Sequence, residues 1–256
     1  MQLCLSARMF ASSSGRNAYD IDVEGLIKFA KDLGYDGITL RPGQVDADTP
    51  TEEINRIGDL LKQYNVPSSF VKSMAIRDQS TFDGQSKLLD HMNTLGCSML
   101  QPKVGKDSDI PWVQKLCDVA AERNMQIAPQ LHNGTLHDTV PRCLDLVKTI
   151  NRNNFGINFE AAHLLLQNQD IQNSQAVRDL GPHISSVCVQ NYKLTDSDSV
   201  ACLPGDPEGV DLGDVFGALK EIGFDGSVTH ISGAYPDLDN RTMCDHYVKY
   251  LRPLMA

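Results

Sequence analysis

No apolar run in these 256 residues approaches the length of a membrane span, so no segment is read as crossing a bilayer. Lysine and arginine number 23 against 33 acidic residues and never cluster. That removes the basic footprint by which nucleic acids and anionic membrane surfaces are gripped. The seven cysteines, at 4, 97, 117, 143, 188, 202 and 244, contain no CxxC pair. An odd, scattered set reads as reduced, mostly buried thiols in a cytoplasmic protein and not as a disulfide framework. No Gly-rich turn succeeds the first apolar segment, which argues against a doubly wound nucleotide-binding sheet. In the opening MQLCLSARMFASSSGRN the apolar stretch is short and broken by Arg8, so it is read as a first strand and its loop, not as a signal peptide.

The chain does have a repeat. Residues 23–38, VEGLIKFAKDLGYDGI, match residues 212–227, LGDVFGALKEIGFDGS. In both, apolar residues recur at i, i+3, i+4 and i+7, the signature of an amphipathic helix. Gly34 and Gly223 then stand where a left-handed C-cap is needed, succeeded by an aromatic residue, Asp-Gly and a short apolar strand. Weaker copies place helices at 84–95, 111–124, 141–151 and 170–181, and another at 49–64, whose Thr49-Pro50-Thr51-Glu52 reads as a capping box. A last helix is expected at 240–252. Strands are expected near 2–8, 37–41, 66–73, 98–104, 125–132, 155–160, 184–190 and 226–232. Eight strand–helix units without a linker predict an α/β fold, a single (β/α)8 TIM barrel domain over residues 1–256.

In such barrels chemistry collects at the C-terminal ends of the strands. Read in order, those ends carry Arg8, Arg41, Lys72, Gln101 with Lys103, Gln130 with His132, Glu160 with His163, Cys188 with Gln190, and His230. Period two puts Gln130 and His132 on one face of their strand, and Cys188 and Gln190 on one face of theirs. One polar strand end means little; eight in succession, each with its apolar part upstream, mark the mouth as a ligand site. His91, His137, His183 and His246 are read as solvated or structural, and the acidic segment 195–209 as a solvated lid or partner surface.

The segments LIKFAKDLGYDGITLRPG, QIAPQLHNG, FGINFEAAHLL, VCVQNYK and GVDLGDVFGALKEIGFDGSV, in this order, resemble the xylose isomerase-like barrels, also called the sugar phosphate isomerase/epimerase family. The resemblance implies one divalent metal (Mn, Mg, Co or Zn) held by a Glu, an Asp, a His or Gln, and a Glu at the ends of the fifth to eighth strands. In the isomerases the two Glu residues also move protons beside a carbonyl. The matching positions here read Gln130, Glu160, Cys188 and His230. Glu160 is the one sure anion, so hard cations lose most of their oxygen ligands. A Zn site of Cys188, His230 and Glu160, with Gln130 as a poor fourth partner, is set against loss of the metal.

Because Gln130 cannot take a proton, Glu160, His230 and Lys103 become the candidate catalytic groups. Arg8, Arg41, Lys72, His132, His163 and Gln190 are assigned to substrate binding. The expected function is an isomerase or epimerase that abstracts a proton next to the carbonyl of a small sugar or keto-sugar. A lyase or dehydratase of the same family is the alternative. A barrel that has lost its metal and binds a carbohydrate or a partner without turnover represents the other class of function. A homo-oligomer or an accessory subunit fits these readings. The endonuclease branch of the family uses several metals with many His and acidic ligands, which this mouth lacks.

Overall fold

The computed structural model describes every residue except Arg16, residues 168–170, Ser197 and Pro236. Among the described residues the strands are β1 (Gln2–Ser6), β2 (Gly37–Leu40), β3 (Ser68–Lys72), β4 (Met99–Gln101), β5 (Gln126–Ile127), β6 (Ile157–Phe159), β7 (Ile184–Val189), β8 (Tyr192–Leu194), β9 (Ser199–Ala201) and β10 (Ser227–His230). Eight of them form one parallel sheet in the order β5-β4-β3-β2-β1-β10-β7-β6. The ring closes between β5 and β6 through bridges Ile127–Phe155 and Gln130–Asn158. There the Asn158 amide donates to the Pro129 carbonyl and the Leu131 amide to the Asn158 carbonyl, both at 2.9 Å. The expected (β/α)8 barrel is therefore present.

Around it lie α1 (Val23–Asp32), α2 (Thr51–Tyr64), α3 (Gln79–Leu95), α4 (Ile110–Ala121), α5 (Val140–Ile150), α6 (Ala161–Leu166), α7 (Asn173–Leu180), α8 (Leu212–Glu221) and α9 (Asn240–Met255). Gly34 and Gly223 sit at φ +81° and +71°, as their helix ends require. The capping box expected at Thr49 is absent: the Thr49 hydroxyl accepts from the Asp46 amide at 2.8 Å, and α2 starts after Pro50 without a side-chain cap. The helix expected from 170 begins at Asn173; residue 170 itself lies outside the described residues. The short α6 and the antiparallel β8–β9 hairpin have no counterpart in the helix–strand repeat. The seven cysteines are unpaired and buried. No described helix is long and apolar enough to cross a membrane.

Alternation sorts the strand residues into two layers. Leu3, Leu5, Ile38, Leu40, Val71, Ile157, Phe159, Val187, Val189 and Val228 pack outward in the main core with the helices. The inward residues fill the lumen. Ser69 Oγ and Thr229 Oγ1 approach to 3.4 Å across it, Asn158 Nδ2 donates to Ser186 Oγ at 2.5 Å, and Phe70, Cys188 and Ile231 form a small apolar floor with Met99.

Strand β3 breaks the alternation. Ile38 pairs with Ser68 but Leu40 pairs with Val71, so β3 advances three residues while β2 advances two. This is a β-bulge, and it re-aims the rest of the strand. Ser69 and Phe70 both face the lumen, Val71 faces out, and Lys72 is returned to the inside. Strict alternation from Ser69 would have sent Lys72 into the helix layer.

His230 corrects the sequence reading. It shares the outward face of β10 with Val228, and its ring is fully buried on that of Tyr247 from α9, with centroids 3.7 Å apart. Its Nδ1 lies 2.8 Å from the Tyr35 hydroxyl. Ile231 takes the inward place, because a shift of one residue exchanges the faces of a strand. Burial pushes the His230 imidazole down to about 3. The folded protein therefore holds it neutral, while the unfolded chain takes up a proton near the ordinary value of about 6.5. Its contribution to stability is full above that value and declines as the pH falls towards 3. Between pH 7 and pH 5 this loss amounts to about 2 kcal/mol. Urea denaturation at the two pH values should show a pH dependence smaller by that amount in His230→Phe; an unchanged dependence would mean that His230 is not held neutral.

Candidate active site at the barrel mouth

Glu160 closes β6 and precedes α6, on the inward face already set by Asn158. It is fully buried. Gln130 Nε2 donates to its Oε2, and Gln190 Nε2 donates to its Oε1. His163 lies one turn along, where helical spacing brings i and i+3 together. Its Nε2 is 3.3 Å from Glu160 Oε2, at an angle poor for a hydrogen bond. Burial alone would raise the Glu160 carboxyl. The nearby His163 and the donors around the two oxygens outweigh burial and hold the carboxyl below its usual range, as an anion.

With each Nε2 turned to the carboxylate, each glutamine must turn its carbonyl away, and both meet a cation. Lys72 Nζ donates to Gln130 Oε1 at 3.0 Å, and Arg8 Nη1 donates to Gln190 Oε1 at 3.1 Å. A line Lys72–Gln130–Glu160–Gln190–Arg8 thus crosses the mouth. Arg41 stands beside it, donating to the Tyr19 hydroxyl at 3.3 Å and to Ser6 Oγ at 3.5 Å. All three cations use neutral oxygens as acceptors. Burial and the positive charge of Arg41 lower the Lys72 ammonium to about 8.

Lys72 opens onto a pocket of about 140 Å³, lined also by Ser73, Gln101, Pro102, Lys103, Gln130, His132, Thr135 and His137. His132, two residues beyond Gln130, is exposed at the edge of this pocket. Its Nδ1 lies 2.8 Å from the Asn133 carbonyl oxygen, which assigns the proton to Nδ1 and leaves the Nε2 lone pair free. Its ring centroid is 4.1 Å from that of His163, whose Nδ1 is 3.0 Å from Asn133 Oδ1. Partial desolvation and the neighbouring His163 hold His132 below the ordinary histidine value. Lys103 is exposed at the rim. His137, read from the sequence as solvated or structural, is buried against this pocket, and burial lowers it to about 4.

The structure thus gathers Arg8, Lys72, Gln130, Glu160, His163 and Gln190 into one network, with His132, Arg41 and Lys103 around it. It does not gather the proposed metal set. The inward positions ending β5, β6, β7 and β10 are Gln130, Glu160, Cys188 and Ile231, and His230 faces the opposite way. Cys188 is packed on the apolar floor, and its thiol is pushed up to about 12 by burial and by Glu160, whereas a metal needs a thiolate. Among the described residues no three His, Cys, Asp or Glu side chains are placed to hold a metal ion. The residues present do not fit the divalent metal that the resemblance implies. They fit a cluster in which glutamine amides, not a metal, reconcile the strand ends with the charge of Glu160.

Two placements had a signal in the sequence. Val228 is apolar and two residues before His230, so period two already put both on the outer face. Asn133-Gly134 is a turn dipeptide, and Gly134 adopts φ +70°; the turn delivers Asn133 to His163.

A curated relative, the 3-dehydroshikimate dehydratase of Bacillus anthracis, is 21% identical over an alignment 194 residues long, with 69% of each chain covered. Among solved structures, D-psicose 3-epimerase with D-tagatose from Clostridium cellulolyticum superposes with a TM-score of 0.80 at 14% identity, covering 100% of this chain and 99% of that one. A xylose isomerase-like TIM barrel protein from Mycobacterium smegmatis in complex with magnesium gives 0.78 at 14% identity, covering 99% and 96%. The model of the xylose isomerase-like TIM barrel family matches residues 27–234. Ring order, mouth and sequence agree, and the chain belongs to the xylose isomerase-like TIM barrel family.

Proposed function

We propose that the barrel mouth binds a small sugar or keto-sugar and moves a proton on the carbon beside its carbonyl, as an isomerase or epimerase does. The observation that carries this reading is the shared pocket of Lys72 and His132, a cation and a free imidazole nitrogen on one cavity. Lys72 draws electrons from the carbonyl oxygen, in a half-buried setting where such a charge acts more strongly than in water. His132 is the base; kept below the ordinary histidine value, it is neutral at pH 7.

Glu160, a catalytic candidate on sequence grounds, is in this reading a positioning residue. Both its oxygens are occupied, and it fixes the two glutamines and His163. Gln190, Arg8 and Arg41 meet substrate hydroxyls, and Lys103 guards the rim. The family relationship supports the reaction class, since a D-psicose 3-epimerase shares the fold. No step uses a metal, because the donors do not fit one.

A second reading, loss of a β-hydroxyl after the same proton abstraction, is favoured by charge. Arg8, Arg41, Lys72 and Lys103 surround one carboxylate in a chain of net charge −10. That imbalance suits a substrate bearing its own carboxylate, and the Bacillus anthracis relative is a dehydratase.

Exchange of the proton beside the carbonyl, monitored by NMR in D2O with D-tagatose and related keto-sugars, tests the reading directly. His132→Ala should lower the exchange rate by about 10²- to 10⁴-fold with the fold intact by circular dichroism; an unchanged rate would remove His132 from the mechanism. Protonation of His132 abolishes the base, so the rate should fall with acid along a limb centred below the ordinary histidine value of about 6.5. Treatment with EDTA should leave exchange unaltered. Loss of exchange that manganese restores would overturn the metal-free reading.

A further inference from the structure

We infer that Lys72 reacts covalently, its amine forming an imine with the substrate carbonyl, so that an iminium nitrogen serves as the electron sink of the reaction. This rests on the proposed function, in which the mouth receives a carbonyl compound.

The geometry is specific to Lys72. The bulge in β3 turns its side chain into the pocket, and Gln130 Oε1, a neutral acceptor, is what its Nζ reaches. The neighbouring carboxylate, Glu160, already accepts from Gln130 and Gln190, one on each oxygen. A lysine in a salt bridge is pinned as an ammonium, which has no lone pair. Lys72 instead lies half-buried at the pocket, within the positive field of Arg41 and Arg8, conditions that release the free amine and make a lysine nucleophilic. Lys193 shows the contrast, with Nζ 3.0 Å from Glu208 and 3.2 Å from Asp206. The pocket also holds groups to manage protons: the free Nε2 of His132, and His137, whose buried Nδ1 has no hydrogen-bond partner among the described residues.

The amine lone pair forms a bond to the carbonyl carbon, and the C=O π electrons move to oxygen, which takes a proton. The carbinolamine then expels that oxygen as water. Counted from the resting ammonium, lysine and ketone give iminium and water, with charge conserved and nothing oxidised or reduced. His132 removes the proton from the adjacent carbon, the freed electron pair forms a C=C bond while the C=N π pair moves onto nitrogen, and reprotonation at carbon and then hydrolysis free the product and the amine.

The test is reductive trapping. The full chain is incubated with dihydroxyacetone or D-tagatose, treated with sodium borohydride, and measured by intact mass and peptide mapping. The expected result is a single adduct, the ketone less one oxygen atom, on the peptide carrying Lys72. The adduct should vanish in Lys72→Arg, with Lys72→Met as the second variant if arginine is not accommodated, and persist in Lys193→Arg, whose amine is held by Asp206 and Glu208. Proton exchange at the same ketones is measured in parallel. Exchange without a Lys72 adduct overturns the imine and leaves the proton-transfer reading standing. Labelling spread evenly over surface lysines also overturns it. Neither adduct nor exchange overturns both.

Discussion

One buried charge organises the mouth of this barrel. Glu160 is an anion shut off from bulk solvent, and such a charge persists only where donors surround it. Two amides fill that role, with the His163 ring close beside them. Because an amide has a donor end and an acceptor end, satisfying Glu160 fixes the orientation of Gln130 and Gln190. That orientation in turn fixes where Lys72 and Arg8 rest. The identity of residue 130 obeys the same logic. A glutamate there would place a second carboxylate against Glu160, and two such charges need a cation between them or a shared proton. Glutamine removes the repulsion and supplies the missing donor in one change.

The rest of the site is arranged so that this network can exist. In the lumen, Phe70, Cys188 and Ile231 pack into a buried apolar floor. An apolar residue at 231 and a protonated thiol at 188 are consistent with a mouth whose positive charge comes from side chains. Above the network, His163 links Glu160 to His132 through ring contact and the shared neighbour Asn133. The buried anion therefore acts at the pocket without touching what binds there.

The architecture was legible because it is written in repetition. The paired segments at 23–38 and 212–227 announce the unit, and apolar periodicity finds the remaining strands and most helices. Site residues on regular strands were legible for the same reason: Gln130, and Glu160 with His163, face as spacing requires. His230 shows the rule misapplied, since a motif match was preferred to the alternation that Val228 already indicated. Lys72 shows the rule reaching its limit. A bulge arises from how β3 pairs with β2, a property of two strands that neither carries alone. The Thr49 cap failed similarly, its hydroxyl being claimed by a turn at Asp46. His137 was hidden because a loop residue has no periodicity to read.

Strand β5 spans only Gln126–Ile127, and the junction with β6 is made by two isolated bridges, one of them at Gln130 itself. The seam of the ring and the centre of the site thus share a residue. Backbone atoms of the 127–131 segment hold the cylinder shut while the side chain of Gln130 holds Lys72 and Glu160 in line. Any grip on that side chain therefore bears on a residue whose backbone also closes the ring.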